Sequence, residues 1–202
     1  MRRVHVIGFC RSGTTWLRYV LSEHPEVLLM NEMRIYDRPS LSAFMGLRNH
    51  RTQLWVSEDH KRRLMARGPR TTEAVEAIVF DDPGLKVIGD KTATAFEHDS
   101  WDKDWYALRE QLYPADRIYI HRHPESVFGS LADNARRPGS PTQLAERHAA
   151  VHEYGMDMAD LRISYERMVD DPATVGRAID GFVGLDGCDY AEVIRSATTK
   201  VS

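Results

Sequence analysis

Four short apolar runs punctuate the chain: VHVIGF (4–9), KVIGD (86–90), RIYIHR (117–122) and DLRISY (160–165). Each is rich in β-branched and aromatic residues and too short for a helix, the pattern of a buried strand. VLLM (27–30) reads as a further short strand. Between them, apolar positions recur at helical spacing over 14–23, 40–49, 58–67, 71–80, 101–112, 125–136, 142–158, 172–183 and 189–198. Several of these segments carry start signals: Ser57 with Glu58, Thr71-Thr72-Glu73, and Pro124-Glu125. Strands alternating with helices predict an α/β fold, a mostly parallel central sheet flanked by helices on both faces. Ligands of such folds bind beyond the carboxyl ends of the strands, where the pattern puts Phe9, Asp90 and Arg122. No internal repeat, low-complexity tract or linker interrupts the chain, so residues 1–202 are expected to form one domain. The segment 34–83 breaks the alternation and is helical by pattern, which makes it the expected acceptor-binding insert.

Composition narrows the setting. A length of 202 residues suits one domain with a sizeable core. The net charge of −3 offers no general attraction to nucleic acid, so a bound anion must rely on local basic groups. Two cysteines, Cys10 and Cys188, do not make a disulfide framework, which fits a reducing compartment. The basic start MRRVHVIGFC reaches Arg11 too soon for a signal peptide, and no run of about 18 apolar residues could span a membrane. The expectation is a soluble cytoplasmic protein with no nucleic-acid or membrane partner; composition says nothing of its oligomeric state.

The chemistry concentrates after the first strand. Gly8 and Gly13 have the spacing of the glycines in the phosphate-binding loop G-x-x-x-x-G-K-[ST], and Thr15 fits its last position. Thr14 replaces the lysine, and the cation comes earlier, at Arg11. A strand, a glycine turn and a helix start present a row of unpaired N–H groups at the positive end of the helix dipole, where an anion binds. Ser12, Thr14 and Thr15 add hydroxyls, and Trp16, Leu17, Val20 and Leu21 form the apolar face of the helix that follows. Without a ligand, the same residues would make only a glycine turn with a polar cap.

RSGTTWLRYVL closely resembles the 5′-phosphosulfate-binding loop of sulfotransferases that use 3′-phosphoadenosine-5′-phosphosulfate (PAPS). In that family the cation precedes Ser-Gly-Thr-Thr, as Arg11 does here, and Cys10 stands where proline is common. A cation inside the loop reaches the oxygen bridging phosphate and sulfuryl group, where charge develops during transfer. The resemblance makes Arg11, Ser12, Gly13, Thr14, Thr15 and Trp16 donor-binding residues. It also implies that an arginine ending a core strand and a serine eight residues later hold the 3′-phosphate; IYIHRHPESVFGS supplies Arg122 and Ser130. RISYERMVDDPATVGRAIDGFVGL (162–185) is similar to a late segment of the family, and Tyr165 and Glu166 are expected to brace the core. The resemblance runs from about residue 4 to 185, with the middle insert unmatched in detail.

Transfer to a hydroxyl needs a base. Ala93 occupies the place of the histidine used in the cytosolic branch, and GDKTATAF looks more like the glutamate-base carbohydrate and bacterial branch. On that likeness Glu32, in HPEVLLMNEMRIYD, is the expected base, with Asp90, His121 and His123 as alternatives. Lys91 is expected to steady the departing phosphate or polarise the acceptor, although an ordinary salt bridge would also account for it. His121-x-His123 and the pair His148/His152 have spacings a metal can use, yet the family needs none and no third ligand is evident. The basic run KRRLMARGPR (61–70) reads as a solvated helix face, or else as an attractor for an acidic acceptor or a help in holding the 3′-phosphate. The chain stops at SATTKVS without the Gly- and basic-rich segment that closes many donor sites; either Lys200 or Arg136-Arg137 is expected to substitute, or the donor site is more open or the chain a shortened form.

The expected activity is therefore sulfuryl transfer from PAPS, releasing adenosine 3′,5′-bisphosphate, to a hydroxyl or amine of a small molecule or sugar. An ATP-dependent kinase is the alternative, weakened by Thr14 in place of lysine. A catalytically silent nucleotide-binding homologue is a third reading.

Overall fold

The computed structural model describes residues 1–31, 62, 72–94, 114–132 and 140–199. Its elements in chain order are β1 (Arg2–Phe9), α1 (Thr14–Ser22), β2 (Val27–Asn31), α2 (Thr72–Val79), β3 (Val87–Thr94) and β4 (Asp116–His121). There follow α3 (Pro124–Ala132), α4 (Pro141–Met158), β5 (Leu161–Ser164), α5 (Tyr165–Asp170), α6 (Pro172–Val183) and α7 (Tyr190–Thr199). The five strands form one sheet in the order β2-β3-β1-β4-β5, and every pairing is parallel. This is the α/β architecture the pattern predicts, with helices on both faces.

Residue alternation along the strands divides the core between those faces. Val4 and Val6 of β1 and Ile118 and Ile120 of β4 turn toward α1, α5, α6 and α7, where they pack with Leu17, Met168, Ile179 and Ile194. Ile7, Phe9 and Tyr119 turn the other way, against Val127 and Leu131 of α3 and Leu144 and Val151 of α4. α2 covers Met30 and Ile88 with Val75, Ile78 and Val79. It is pinned to β1 by the two-pronged pair between Arg3 and Glu76, at 3.0 and 2.8 Å.

Local chemistry sets the helix limits. Ser140 and Gln143 form a reciprocal capping box at the start of α4. Its last turn is held by two arginines, Arg117 donating to the Met158 carbonyl at 2.9 Å and Arg162 to that of Met156 at 2.7 Å. Gly155 lies inside α4 because a Cβ there would stand 2.4 Å from the Tyr119 ring. Asp171 caps α6 through the Thr174 N–H, 3.1 Å away, and Gly184 ends it in the left-handed region.

Two expectations change. The strand read as 86–90 runs on to Thr94, so Asp90 lies inside β3, paired with His5 on one side and Met30 on the other. Parallel pairing with Ile7, Gly8 and Phe9 of β1 keeps D-K-T-A-T extended although the apolar pattern has stopped. The six-residue α5 was not expected; Ser164 starts it by accepting the Arg167 N–H at 3.3 Å. The expected helices at 40–49 and 101–112 lie outside the described residues, as does nearly all of 58–67, and so does the acceptor-binding insert apart from Arg62 and residues 72–83. Among the described residues no helix is long and apolar enough to cross a membrane.

Candidate functional site between the ends of β1 and β4

β1 is followed by α1 on one face of the sheet, while its neighbour β4 is followed by α3 on the other. Adjacent parallel strands whose helices leave to opposite faces open a crevice at their carboxyl ends. The loop 10–13 and the β4–α3 turn both enter it.

The loop is tightly wound. Ser12 N–H donates to the Phe9 carbonyl at 3.1 Å, and the backbone is left-handed at Arg11 (φ 68°) and Gly13 (φ 92°). Gly13 is also sterically required, because a Cβ there would meet the Tyr165 ring at 2.5 Å. α1 begins at Thr14 without a side-chain cap, so its first N–H groups face the crevice with no acceptor from their own helix. The buried Ser12 hydroxyl has no hydrogen-bond partner among the described residues. A buried polar atom without a partner needs an explanation, and here it sits in a loop built for an anion.

From the other wall come Arg122 and Ser130. Arg11 Nε donates to Ser130 Oγ at 2.9 Å, and Arg122 Nη1 donates to the Arg11 carbonyl at 3.3 Å. Arg122 Nε is buried with no hydrogen-bond partner among the described residues. Its guanidinium lies 4.2 Å over the Tyr165 ring, which Trp16 meets edge-on with centroids 5.3 Å apart. Tyr165 and Glu166 therefore brace the site rather than the core. Glu166 accepts the His123 N–H and the Ser164 hydroxyl, each at 2.8 Å. Burial pushes its carboxyl up, but the His123 N–H and the Ser164 hydroxyl outweigh that and hold it below the usual value.

Arg11, Ser12, Gly13, Thr14, Thr15 and Trp16 thus share one crevice with Arg122 and Ser130. Lys91 is buried in mid-β3, in register with Val6 and Asn31. Asp90 is completely buried beside it. His121 meets His152 of α4 edge-on, with ring centroids 5.5 Å apart. Glu32 lies outside the described residues, as do Arg136, Arg137 and Lys200. Tyr165 is the site residue that sequence reasoning missed; the signal was its place directly after a strand end. Among the described residues no group of three or more His, Cys, Asp or Glu side chains is arranged to hold a metal ion.

Residues 3–189 match the family model described as the sulfotransferase family. The chain belongs to that family. Its fold resembles the sulfotransferase domain of the Synechococcus PCC 7002 olefin synthase, at 20% identity and a TM-score of 0.59, covering 100% of this chain and 80% of that one. It also resembles a sulfotransferase from Alicyclobacillus acidocaldarius, at 18% identity and a TM-score of 0.55, over 92% of this chain and 82% of the other. A mouse sulfotransferase complexed with PAP is similar at 18% identity and a TM-score of 0.55, over 100% of this chain and 66% of that one. No curated protein sequence matches the chain. A sulfotransferase must bind a sulfuryl donor and stabilise an anionic leaving group, and the crevice gathers donors suited to both.

Proposed function

We propose that the protein transfers a sulfuryl group from PAPS to a hydroxyl or amine of a small molecule or sugar. The observation that carries this reading is the convergence of two cationic walls, Arg11 in the wound loop and Arg122 beyond β4, joined through Ser130 and the Arg11 carbonyl. A donor with a phosphosulfate at one end and a 3′-phosphate at the other asks for two anion sites on one floor. The unpartnered Ser12 hydroxyl and Arg122 Nε are buried donors of the kind such oxyanions satisfy.

In this reading Arg11, the loop amides and the hydroxyls of Ser12, Thr14 and Thr15 hold the phosphosulfate. Arg11 faces the charge that grows on the bridging oxygen as the S–O bond opens. Arg122 and Ser130 hold the 3′-phosphate, and Trp16 and Tyr165 line the space between. Glu32 takes the acceptor proton; in sequence it follows Asn31, whose register partner is Lys91. Lys91 supplies a buried positive charge at that edge. Cys10 and Cys188 form no disulfide, which suits a reducing, cytoplasmic setting.

The test is calorimetric titration with adenosine 3′,5′-bisphosphate and with ATP, each with and without magnesium. Tight binding of the bisphosphate that ignores magnesium is the expected result. A preference for magnesium-ATP overturns the reading in favour of a kinase.

A further inference from the structure

Arg122 stands between two residues that the fold holds still. His121, before it, ends β4 in register with Ser164 of β5. On the α4 side the His121 ring joins a three-histidine cluster, edge-on to His152 at 5.5 Å, with His148 stacked on His152 at 6.3 Å. His123, after it, begins α3: its carbonyl accepts the Val127 N–H at 3.1 Å, and Pro124 takes the first helical position. The His123 N–H lies beyond the sheet, because β5 stops at Ser164 and the chain turns into α5. A backbone donor in that place needs an acceptor, and Glu166 Oε1 provides it at 2.8 Å.

The carboxylate is itself fastened. Its Oε2 accepts the Ser164 hydroxyl at 2.8 Å, and Ser164 Oγ accepts the Arg167 N–H at 3.3 Å as the cap of α5. One oxygen thus rests on the start of α5 while the other reaches across to the β4–α3 turn. Both polar groups of the His123 backbone are taken, so the Arg122–His123 peptide cannot rotate without breaking the charge-assisted bond to Glu166. With His121 paired in the sheet, both ends of Arg122 are fixed, and so is the direction in which its side chain leaves. That direction lays the guanidinium 4.2 Å over the ring of Tyr165, the residue between Ser164 and Glu166, and brings Nη1 to 3.3 Å from the Arg11 carbonyl.

We propose that Glu166 is a positioning residue for Arg122: anchored on α5, it pins the peptide after Arg122 and so aims the guanidinium at the donor's 3′-phosphate. The inference rests on the assignment of Arg122 to that phosphate. Glu166 acts through the arginine, sparing it the ordering that a free side chain undergoes on binding. A glutamate in the first turn of a helix also has a plainer role, because its charge suits the positive end of the helix. The two roles ask for different chemistry. Favouring the helix end needs only the charge, whereas holding His123 and Ser164 together needs the reach of a glutamate and an acceptor at its tip. They differ in effect as well: aiming Arg122 bears on the 3′-phosphate alone, and general support of the fold bears on every ligand alike.

The experiment is titration of the full chain with adenosine 3′,5′-bisphosphate and with adenosine 5′-monophosphate, which lacks the phosphate assigned to Arg122. Wild type is compared with Glu166→Asp and Glu166→Gln. Aspartate keeps the charge but is a methylene too short to hold both His123 and Ser164. Bisphosphate affinity should fall about five- to tenfold while monophosphate affinity stays within about twofold. Glutamine keeps the reach, accepting from His123 with its carbonyl and donating to Ser164 Oγ with its amide, and should bind both ligands within about twofold of wild type. In an Arg122→Met background, Glu166→Asp should cost less than about twofold more. Unchanged bisphosphate binding by the aspartate variant, equal losses for the two ligands, a glutamine variant as weak as the aspartate one, or a full further loss in the methionine background overturns the inference. Should Glu166→Asp not fold, Ser164→Ala decides, because it unfastens the carboxylate without removing it: the same selective loss is expected, and an unchanged preference overturns the proposal. Wild type that binds the bisphosphate no better than the monophosphate overturns the donor reading itself, a result distinct from a wild-type preference that the Glu166 variants leave intact.

Discussion

Arg11 Nε donates to Ser130 Oγ at 2.9 Å, joining the loop after β1 to the second turn of α3. Neither wall of the crevice can be perturbed without the other. If Arg11 faces the developing charge as proposed, replacing it with alanine should lower turnover in a sulfotransfer assay roughly 10²–10³-fold. Ser130→Ala leaves the charge but frees the guanidinium, and bisphosphate affinity should fall by about five- to tenfold. Full activity in the Arg11 variant would remove the loop from the mechanism.

Arg122 reaches the crevice with a buried, unpartnered Nε and a guanidinium resting 4.2 Å over Tyr165. Its loss should act on binding before turnover. Arg122→Met is expected to weaken bisphosphate binding by roughly 10–100-fold, the range of a lost charge-assisted hydrogen-bond pair. Arg122→Lys should recover little, because an ammonium neither forks nor lies flat on a ring. Unchanged affinity in the methionine variant sinks the assignment.

The loop's shape makes its own prediction. Gly13 combines φ 92° with the Tyr165 ring 2.5 Å from where a Cβ would stand. Gly13→Ala should cost about 1–3 kcal/mol of stability from backbone strain alone, with the ring clash added. A second change, Tyr165→Ala, removes the clash and leaves the strain. In thermal melts the double variant should therefore lose less than the sum of the single losses. Strict additivity would mean that the ring yields freely.

These residues also show what a sequence discloses. Gly8 and Gly13 betray the loop because the backbone itself needs them, and the carbonyl end of β4 betrays Arg122 because an apolar run stops there. Asp90 misleads for the opposite reason: β3 continues as D-K-T-A-T, held extended by its pairing with β1 rather than by apolar side chains. Tyr165 shows in sequence only as a residue directly after a strand end, because its partners Gly13, Trp16 and Arg122 are brought to it by the fold. The three-histidine cluster is half visible. The four-residue spacing of His148 and His152 marks a shared helix face, but nothing local announces that β4 lays His121 against it.

The proposed base can be tested without its geometry. Glu32 follows β2, next to the strand that carries Lys91. Glu32→Gln should abolish transfer in a donor-consumption assay while bisphosphate affinity stays within about twofold, since a proton acceptor contributes roughly 10²–10⁴-fold to rate and nothing to product binding. A fully active glutamine variant returns the role to another group.

Acid should destabilise the fold in two windows. His121 and His148 are held below the usual imidazole value of 6.5, chiefly by burial and then by His152. They stay neutral in the folded protein at a pH where the unfolded chain would take up protons. The unfolded state then binds more protons, so stability falls as pH drops below 6.5 and goes on falling until the folded values are passed. Glu166 comes later. Its carboxyl is held below the usual 4.5 by the His123 N–H and the Ser164 hydroxyl against the pull of burial, so its contribution is present above 4.5 and lost as pH falls through the folded value. Melting temperature should therefore begin to fall well before the carboxylates titrate, and His148→Asn should shrink that first decline while leaving the second. A melting temperature that holds flat from about pH 7 to 5.5 would show that the imidazole cluster takes its protons without strain.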